Sequence, residues 1–262
     1  TALGKPYTYK IKTKPAQPGF SIPMLQMGAS VLFLRPQDTG LPANATSIRS
    51  VKITRSDLSL DEFYQLFNSS SAQRKEYKFN TSQTWTQPLQ MPLGELTAVQ
   101  FQLTADKKPL KPGLYLVDIT SPQAAVETYS PIPFLAVVSR VQLTLKITRT
   151  TMMVWAVNMD TNQPIASLPV KLYDDFLSSV GDCTTDISGL CSMPVPPVDE
   201  ERYSTNYFVV TGEPGDDLFG LASSTWNQGI NPWEFRVSSR YDYSQPFIYL
   251  YSDRPIYRPG QT

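Results

Sequence analysis

Paired acidic residues are the first side chains in this sequence whose types and spacing could do chemistry. They occur at 174–175, 199–201 and 216–217. Carboxylates in loops can bind calcium, and two facing carboxylates can act as an acid–base pair. None of these groups has the spacing of an EF-hand loop, and neighbouring residues on a strand point to opposite faces of the sheet. We therefore interpret them as solvated loop charges, with calcium binding or acid–base catalysis as the alternatives.

The sequence contains no recognisable motif for catalysis or cofactor binding. It has no histidine, which removes the commonest general base and the commonest zinc ligand. A glycine-rich phosphate loop, a nucleophile elbow and a metal-ligand constellation are also missing from the sequence. We therefore predict that the protein is not an enzyme and that it has no catalytic residue, metal or cofactor.

Charge and hydropathy argue against nucleic acids and membranes as partners. Lys+Arg and Asp+Glu number 23 each, so no net charge attracts nucleic acid or an anionic membrane. No stretch approaches the roughly 18 apolar residues of a membrane span. Thr1 does not open a signal peptide, so we expect any targeting signal to lie outside this sequence.

An aromatic-rich stretch, "STWNQGINPWEFRVSSRYDY" (224–243), is the second candidate site. Trp226, Trp233 and Phe235 could form an aromatic platform of the kind that binds sugars. The alternative is that the same rings pin a long loop to a sheet or fill an interface with a neighbouring domain. We favour packing, and carbohydrate binding stays open as the second interpretation.

The two cysteines lie close together in "GDCTTDISGLCSM" (181–193). A turn is predicted at 186–189, and Cys183 and Cys191 are equidistant from Ile187, so a hairpin could place them on opposite strands. Cross-strand Cβ atoms about 5 Å apart need little movement to form a disulfide. We predict this disulfide, with two buried free thiols as the alternative. A disulfide would indicate an oxidising compartment.

Short apolar or alternating runs predict β-strands in the first half of the chain. They lie at 7–15, 30–36, 50–56, 98–104 and 113–120, bounded by Pro, Gly or polar clusters. A single helix is predicted at 59–67. Ser59 and Glu62 form its capping box, and Leu60, Phe63, Tyr64 and Phe67 share one face, which we expect to cover an edge or end of a sheet. The stretch 68–83 is predicted to be a polar loop.

A second series of strands begins at 133–139 and continues to about residue 239. In it, residues 151–157 have the pattern of a fully buried strand. About seven strands in ~105 residues, with turns every 8–12 residues, are typical of a β-sandwich. We therefore predict an all-β protein with antiparallel, Ig/fibronectin-III-like sandwiches at 1–138 and 139–245. Residues 246–262 are predicted to be the first strand and turn of a third domain.

The stretch "YSDRPIYRPGQT" (251–262) resembles the opening strand and turn of a macroglobulin-like domain in the α2-macroglobulin family. The matching positions are Asp253, Arg254, Pro255, Tyr257, Pro259 and Gly260. The stretch 110–121, "LKPGLYLVDITS", is similar to a Pro-Gly-x-Tyr strand of these domains. The run around the cysteines resembles their Thr-Asp-x-x-Gly hairpin, and 216–235 resembles a segment of the bacterial branch.

This resemblance implies tandem macroglobulin-like domains in a bacterial protein that inhibits many peptidases. In that family a target peptidase cuts a bait segment, and the inhibitor rearranges and traps it. Many members also carry a Cys-Gly-Glu-Gln thioester, which this sequence lacks, and no long bait segment is evident. We therefore expect a non-catalytic scaffold, with target peptidases bound through the full-length protein and adjacent macroglobulin-like domains as partners. The expected location is the periplasm or cell envelope, with lipid anchoring through a missing N-terminal segment or secretion as alternatives.

Two other interpretations remain open at this point. One is an extracellular adhesin or carbohydrate-binding module that uses Trp226 and Trp233. The other is a eukaryotic thioester or complement-like protein, in which the Asn-x-Ser/Thr triplets at Asn44, Asn68 and Asn80 would carry glycans. The bacterial character of 216–235 argues against the second interpretation.

Overall fold

The computed structural model describes residues 9–10, 16–26, 31–78, 82–124, 133–148, 150–195 and 206–226. Within these ranges the chain forms three short helices and fifteen strands. The helices are α1 (Pro23–Gln26), α2 (Leu60–Phe67) and α3 (Ser71–Glu76). The strands are β1 (Gly19–Ser21), β2 (Val31–Leu34), β3 (Gly40–Thr46), β4 (Ser50–Leu58), β5 (Ser82–Pro88), β6 (Leu96–Gln102), β7 (Gly113–Thr120), β8 (Phe134–Val138), β9 (Val141–Ile147), β10 (Thr151–Asn158), β11 (Pro169–Tyr173), β12 (Ser179–Thr184), β13 (Leu190–Pro194), β14 (Phe208–Thr211) and β15 (Gly220–Ser223).

Two sheets form the first sandwich. Sheet I has the strand order β1-β3-β6, and sheet II has the order β2-β8-β7-β4-β5. Neighbouring strands are antiparallel except β2 and β8, which run parallel. The two sheets enclose one apolar core, in which Val51 and Ile53 of β4 face Leu41 of β3 and Phe101 of β6. Alternate residues of β4, such as Lys52, are exposed, as expected for a strand with one face on a core.

Two further sheets form the second sandwich. Sheet III has the order β13-β10-β9, and sheet IV has the order β12-β11-β14-β15, all antiparallel. Their core contains Val154 of β10, Leu172 of β11, Met193 of β13 and Val209 of β14. The all-β sandwich fold predicted from the sequence is therefore confirmed, and the strands predicted at 30–36, 50–56, 98–104 and 113–120 are present.

Helix α2 forms where its capping box predicts. The Ser59 side chain accepts the backbone N–H of Glu62, and the Glu62 carboxylate accepts the backbone N–H of Ser59. Phe63 and Leu66 are its buried residues. The helix packs on one face of sheet II, against β4, β7 and β8, so the expected position at an edge or end of a sheet is wrong. The physical reason is that this face of sheet II is itself apolar and needs cover.

Two details of the predicted secondary structure are also wrong. Part of the expected polar loop forms α3, because Ser70 and Gln73 make a second capping box. The expected fully buried strand at 151–157 is buried on one face only, since Met153 and Trp155 are 37% and 43% exposed. The strand expected at 7–15 and the one expected near 232–239 fall mostly or wholly outside the described residues.

Strands β3 and β5 were not predicted by the pattern of the sequence. β3 contains Gly40 and Pro42, which usually mark turns, and β5 is polar apart from Trp85. Both form because they pair with apolar neighbours along their full length, β3 with β6 and β5 with β4. Strand pairing in the tertiary structure outweighs the weak local preference for strand.

Candidate functional site: the layer between the sandwiches

An apolar layer lies between the two sandwiches, and we call it the shared layer. One side is the face of sheet II that points away from the first core. The other side is the face of sheet IV that points away from the second core, and α2 packs between them. The buried members of the shared layer are Val31, Leu58, Phe63, Leu66, Leu114, Leu116, Leu135, Val137, Phe208, Val210, Phe219 and Leu221.

The central strands around this layer are buried on both faces. In β7, Tyr115 and Val117 belong to the first core, whereas Leu114 and Leu116 belong to the shared layer. All five residues of β8 and all four of β14 are buried. The sequence signal is the unbroken apolar run, "GLYLV" and "FLAVV", which is typical of strands covered on both sides. That signal predicts two-sided burial, but it does not say what provides the second cover.

Trp226 lies in an aromatic cluster at the margin of the shared layer. Its ring centroid is 4.9 Å from that of Phe33, 5.8 Å from Phe67, 6.1 Å from Phe208 and 6.4 Å from Phe63. Every one of these pairs is edge-to-face, which is a favourable arrangement for aromatic rings. The cluster joins a strand of the first sandwich, helix α2, a strand of the second sandwich and the end of the described chain.

Trp226 therefore contacts neighbouring rings and not an open platform. Its indole Nε1 is buried and has no hydrogen-bond partner among the described residues. Trp233 and Phe235, the other two aromatics predicted to act at this site, lie outside the described residues. The geometry of Trp226 favours the interdomain packing that the sequence analysis preferred over carbohydrate binding.

Arg74 is a buried residue of this region that the sequence pattern did not single out. It is 8% exposed, and its guanidinium group donates from Nε to the carbonyl of Leu66 (2.8 Å) and from Nη2 to the carbonyl of Phe67 (3.2 Å). Burial lowers the pKa of Arg74. These carbonyls belong to the last turn of α2, where a cation is stabilising. Arg74 thus fixes the end of the helix that covers sheet II.

Ser139 joins the two sandwiches at the point where the chain crosses between them. It is 5% exposed, and its hydroxyl accepts the backbone N–H of Val141 at 2.8 Å. The same oxygen lies 2.6 Å from the carbonyl oxygen of Phe219 and donates to it. The connection from β8 to β9 is thus short and bonded to the β15 region, which leaves little freedom for a hinge.

Two polar contacts also connect the sandwiches. The side-chain amide of Gln37, in the first sandwich, donates to the Asp160 carboxylate at 3.1 Å, and Arg140 pairs with the same carboxylate. These hydrogen bonds, first from Gln37 and then from Arg140, lower the pKa of Asp160. The backbone N–H of Gly215 donates to the carbonyl of Pro112 at 2.8 Å. Both contacts connect a loop of one sandwich to a loop of the other.

A disulfide joins Cys183 and Cys191, whose Cα atoms are 5.9 Å apart. The two residues are not partners on one hairpin as the spacing suggested. Cys183 pairs with Val170 in sheet IV, and Cys191 pairs with Val154 in sheet III. The disulfide therefore links the two sheets of the second sandwich at one open side.

The tight turn predicted before Cys191 is present in spite of this. The Asp186 carboxylate accepts the backbone N–H groups of Ser188 and Leu190, and Gly189 has a φ of +74°. An added Cβ at Gly189 would lie 2.5 Å from the Ala156 carbonyl oxygen, so both the backbone angle and the space require glycine. The strands before and after this turn, β12 and β13, belong to different sheets.

Asp174 and Asp216 each bond to the backbone of their own loop, whereas Asp217 lies 3.7 Å from the Arg140 guanidinium. Asp174 accepts the backbone N–H groups of Phe176 and Ser178, and Asp216 accepts that of Glu213. No cluster of three or more His, Cys, Asp or Glu with the geometry of a metal site occurs in the part of the chain that the structure describes. The group at 199–201 lies outside that part. Among the same described residues, no helix is long and apolar enough to cross a membrane.

Of the other positions singled out in the sequence, two lie within the described residues and the rest do not. Asn44 lies in β3, the middle strand of sheet I, and Asn68 caps the C-terminus of α2 by donating to the Tyr64 carbonyl. Asn80 is outside the described residues, as are Asp253, Arg254, Pro255, Tyr257, Pro259 and Gly260. The predicted roles of these six residues stay predictions.

In fold, this chain is similar to proteins built from macroglobulin domains. Residues 138–242 match the family model described as the bacterial alpha-2-macroglobulin MG3 domain. A structure of native Escherichia coli alpha-2-macroglobulin spanning domains MG0-NIE-MG1 matches 85% of this chain and 69% of its own, with a TM-score of 0.60 and 17% identity. No curated protein matches the chain.

Two more solved structures agree with this class. The E. coli structure spanning domains NIE-MG1 matches 79% of this chain and 97% of its own, with a TM-score of 0.56 and 15% identity. A mutant of Salmonella alpha-2-macroglobulin matches 90% of this chain and 14% of its own, with a TM-score of 0.55 and 16% identity. These matches agree in fold with the family-model match at 138–242, so the resemblance to bacterial alpha-2-macroglobulins predicted from the sequence is confirmed.

Proposed function

We propose that this chain is a non-catalytic scaffold of a bacterial alpha-2-macroglobulin, a broad-spectrum inhibitor that traps attacking peptidases after bait cleavage. The match of residues 138–242 to the bacterial MG3 domain is the observation that carries the proposal. The described side chains add support, because their contacts are those of packing: an apolar layer, turn-forming carboxylates and a disulfide. In this proposal the chain positions neighbouring macroglobulin-like domains and contributes no reacting group.

The proposal keeps the division into domains at 1–138, 139–245 and 246–262. The two-residue connection between β8 and β9, at 139–140, is the place where the chain passes from sheet II to sheet III. The disulfide supports an extracytoplasmic location, in the periplasm or cell envelope, because such bonds persist in oxidising compartments. A thiol titration of the denatured, unreduced native protein tests this, and two free thiols would contradict it.

A peptidase protection assay tests the function. Trypsin is incubated with these 262 residues alone, and in parallel with the full-length protein, and digestion of a large protein substrate is measured. We expect protection by the full-length protein and none by the 262 residues, because a scaffold holds no bait. Stoichiometric inhibition by the 262 residues alone would overturn the scaffold role, and no protection by the full-length protein would overturn peptidase trapping.

A glycan titration tests the competing idea of a carbohydrate-binding module. The tryptophan fluorescence of the chain is followed as oligosaccharides are added. We expect no saturable change, because the Trp226 ring contacts Phe33, Phe67 and Phe208. A saturable change that disappears in Trp226→Ala would support carbohydrate binding in place of a scaffold.

A further inference from the structure

We propose that the two sandwiches fold and unfold as one cooperative unit, because the shared layer between them is a core in its own right. Phe63 and Phe219 are 0% exposed and Phe208 is 1% exposed, the same burial as the largest residues of the two sandwich cores. Interfaces between domains of one chain are usually more polar than this, and relative motion is then the default expectation. Here the interface has the burial and the apolar composition of a domain interior.

Separation of the sandwiches would expose apolar side chains on both. Sheet II would expose Leu114, Leu116 and Leu135, and sheet IV would expose Phe208 and Val210. Burial of a single large apolar side chain is a sizeable fraction of the net stability of a domain. In an intermediate with one sandwich folded and the other unfolded, the apolar burial of the shared layer is lost. This loss of free energy exceeds the small net stability of a folded domain.

The connection between the sandwiches also opposes independent motion. β8 ends at Val138 and β9 begins at Val141, so two residues link sheet II to sheet III. Both are engaged: Ser139 bonds to the backbone of Val141 and Phe219, and Arg140 pairs with Asp160. A hinge needs residues whose backbone angles are free to change, and these two are held by contacts.

The Gly215–Pro112 hydrogen bond adds an attachment away from the connection. The Gln37–Asp160 hydrogen bond adds one beside the connection, because Asp160 also pairs with Arg140. The two sandwiches are thus attached at and beside the crossover, and again at the Gly215–Pro112 loop pair. Any rearrangement of a larger protein that contains this chain would have to move the pair as a single body. This inference does not depend on peptidase trapping, because it concerns the stability of the described residues alone.

Hydrogen exchange in two conservative core variants tests the proposal. Ile53→Val removes one methylene from the first core, and Val154→Ala shortens a side chain in the second core; both residues are fully buried. The slowest amides are read in sheets I and III, which contribute no residue to the shared layer. Such amides exchange only when the cooperative unit that contains them opens.

If the sandwiches form one unit, each variant accelerates the slowest amides of both sheets by the same factor. We expect about threefold to tenfold for Ile53→Val, the usual effect of losing one buried methylene, and a larger factor for Val154→Ala, which loses two methyl groups. Acceleration confined to sheet I in Ile53→Val and to sheet III in Val154→Ala would overturn the proposal.

The unmodified chain provides a second measurement that does not depend on the variants folding. Hydrogen exchange is followed by mass spectrometry at increasing urea concentrations. We expect peptides from β3 and from β13 to lose their slowest protection at the same urea concentration, since both report one opening. Loss at two different urea concentrations would show two independent units and overturn the proposal.

Discussion

The two sandwiches join their sheets at an open side by different means. In the first sandwich, the side-chain amide of Gln87 on β5 donates to the Gln100 carbonyl and accepts the Gln102 N–H, both at 2.8 Å. The indole of Trp85 adds a hydrogen bond to the Gln102 carbonyl at 3.2 Å. Side chains of sheet II thus bond to backbone groups along the edge of β6 in sheet I.

In the second sandwich the corresponding link is covalent. Cys183 of sheet IV and Cys191 of sheet III form a disulfide between β12 and β13. The second sandwich, which has the covalent link, also has the smaller core. Among the described residues, its main buried cluster has nine residues, and that of the first sandwich has nineteen. Small cores are commonly reinforced by disulfides. The sandwich with less apolar burial thus has the stronger cross-link.

The shared layer belongs to neither sandwich alone, so disrupting it should affect the molecule most. Phe63→Ala removes a fully buried ring that packs on Phe67 and Trp226. We expect the free energy of unfolding to fall by about 3–5 kcal/mol, measured by urea denaturation. Phe176→Ala is the control, because Phe176 is 65% exposed, and we expect a change within about 0.5 kcal/mol. Equal effects of the two variants would contradict the importance of the layer.

Removal of the disulfide should have the next largest effect. The double variant Cys183→Ala, Cys191→Ala opens a loop of sequence separation 8. The entropy model for a loop of this size gives a loss of about 2.5 kcal/mol in the free energy of unfolding. Urea denaturation of the oxidised and the reduced unmodified protein is the matched comparison. Identical midpoints for these two forms would show that the second sandwich does not need its cross-link.

Loss of the Gln87 amide should lower the free energy of unfolding by less, and its effect should be confined to the edge of β6. Gln87→Ala leaves the Gln102 N–H and the Gln100 carbonyl without the partner they have now. We expect the free energy of unfolding to fall by about 1 kcal/mol and the Gln102 amide to exchange faster. Thr86→Ala, at an exposed position of the same strand, controls for the lower strand preference of alanine. Unchanged exchange at Gln102 would show that the amide does not protect this edge.

Acidification should give the smallest effect, at the polar contact between Gln37 and Asp160. The folded-state pKa of Asp160 is lowered by Gln37 and Arg140. The carboxylate therefore stabilises the fold above the unfolded-state pKa of about 3.9, and this stability is lost as the pH falls through the lower folded-state pKa. Unfolding midpoints of the unmodified protein and Asp160→Asn, measured from pH 6 downwards, should differ at pH 6 and converge below about pH 4.

High salt distinguishes the two causes of this pKa shift. The attraction to Arg140 is screened by salt at this exposed site, whereas the hydrogen bond from Gln37 is less sensitive. We expect the difference between the two proteins at pH 6 to shrink in 1 M salt without vanishing. A difference that is constant from pH 6 to pH 2 would show that the ionised Asp160 does not stabilise the fold.

Local patterns in the sequence predicted most of the secondary structure correctly. The alternation in β4, the apolar run in β7 and the capping box at Ser59 and Glu62 each depend on residues within one element. Local patterns did not predict the strands whose formation depends on a partner that is distant in the sequence. β3 contains Pro42 and β5 is polar, yet both are strands because β6 and β4 lie beside them.

The candidate site shows the same limit. The sequence predicted that Cys183 and Cys191 would meet, but not that they would belong to different sheets. The sequence suggested packing for Trp226 but could not identify its partners. These are Phe33, Phe67 and Phe208, which come from three separated parts of the chain. Arg74 carried no signal at all, because its function at the end of α2 depends on how α3 folds back.

By itself, the sequence determined the strand-rich class, the two helix-capping boxes and the disulfide partners, because each depends on residue type and local spacing. The tertiary structure alone decided which strands share a sheet, that α2 covers a face and not an edge, and that two sandwiches enclose a third apolar layer. The physical reason is that an apolar run indicates only that a surface is buried, and not which element covers it. What buries it is settled by the arrangement of the whole chain.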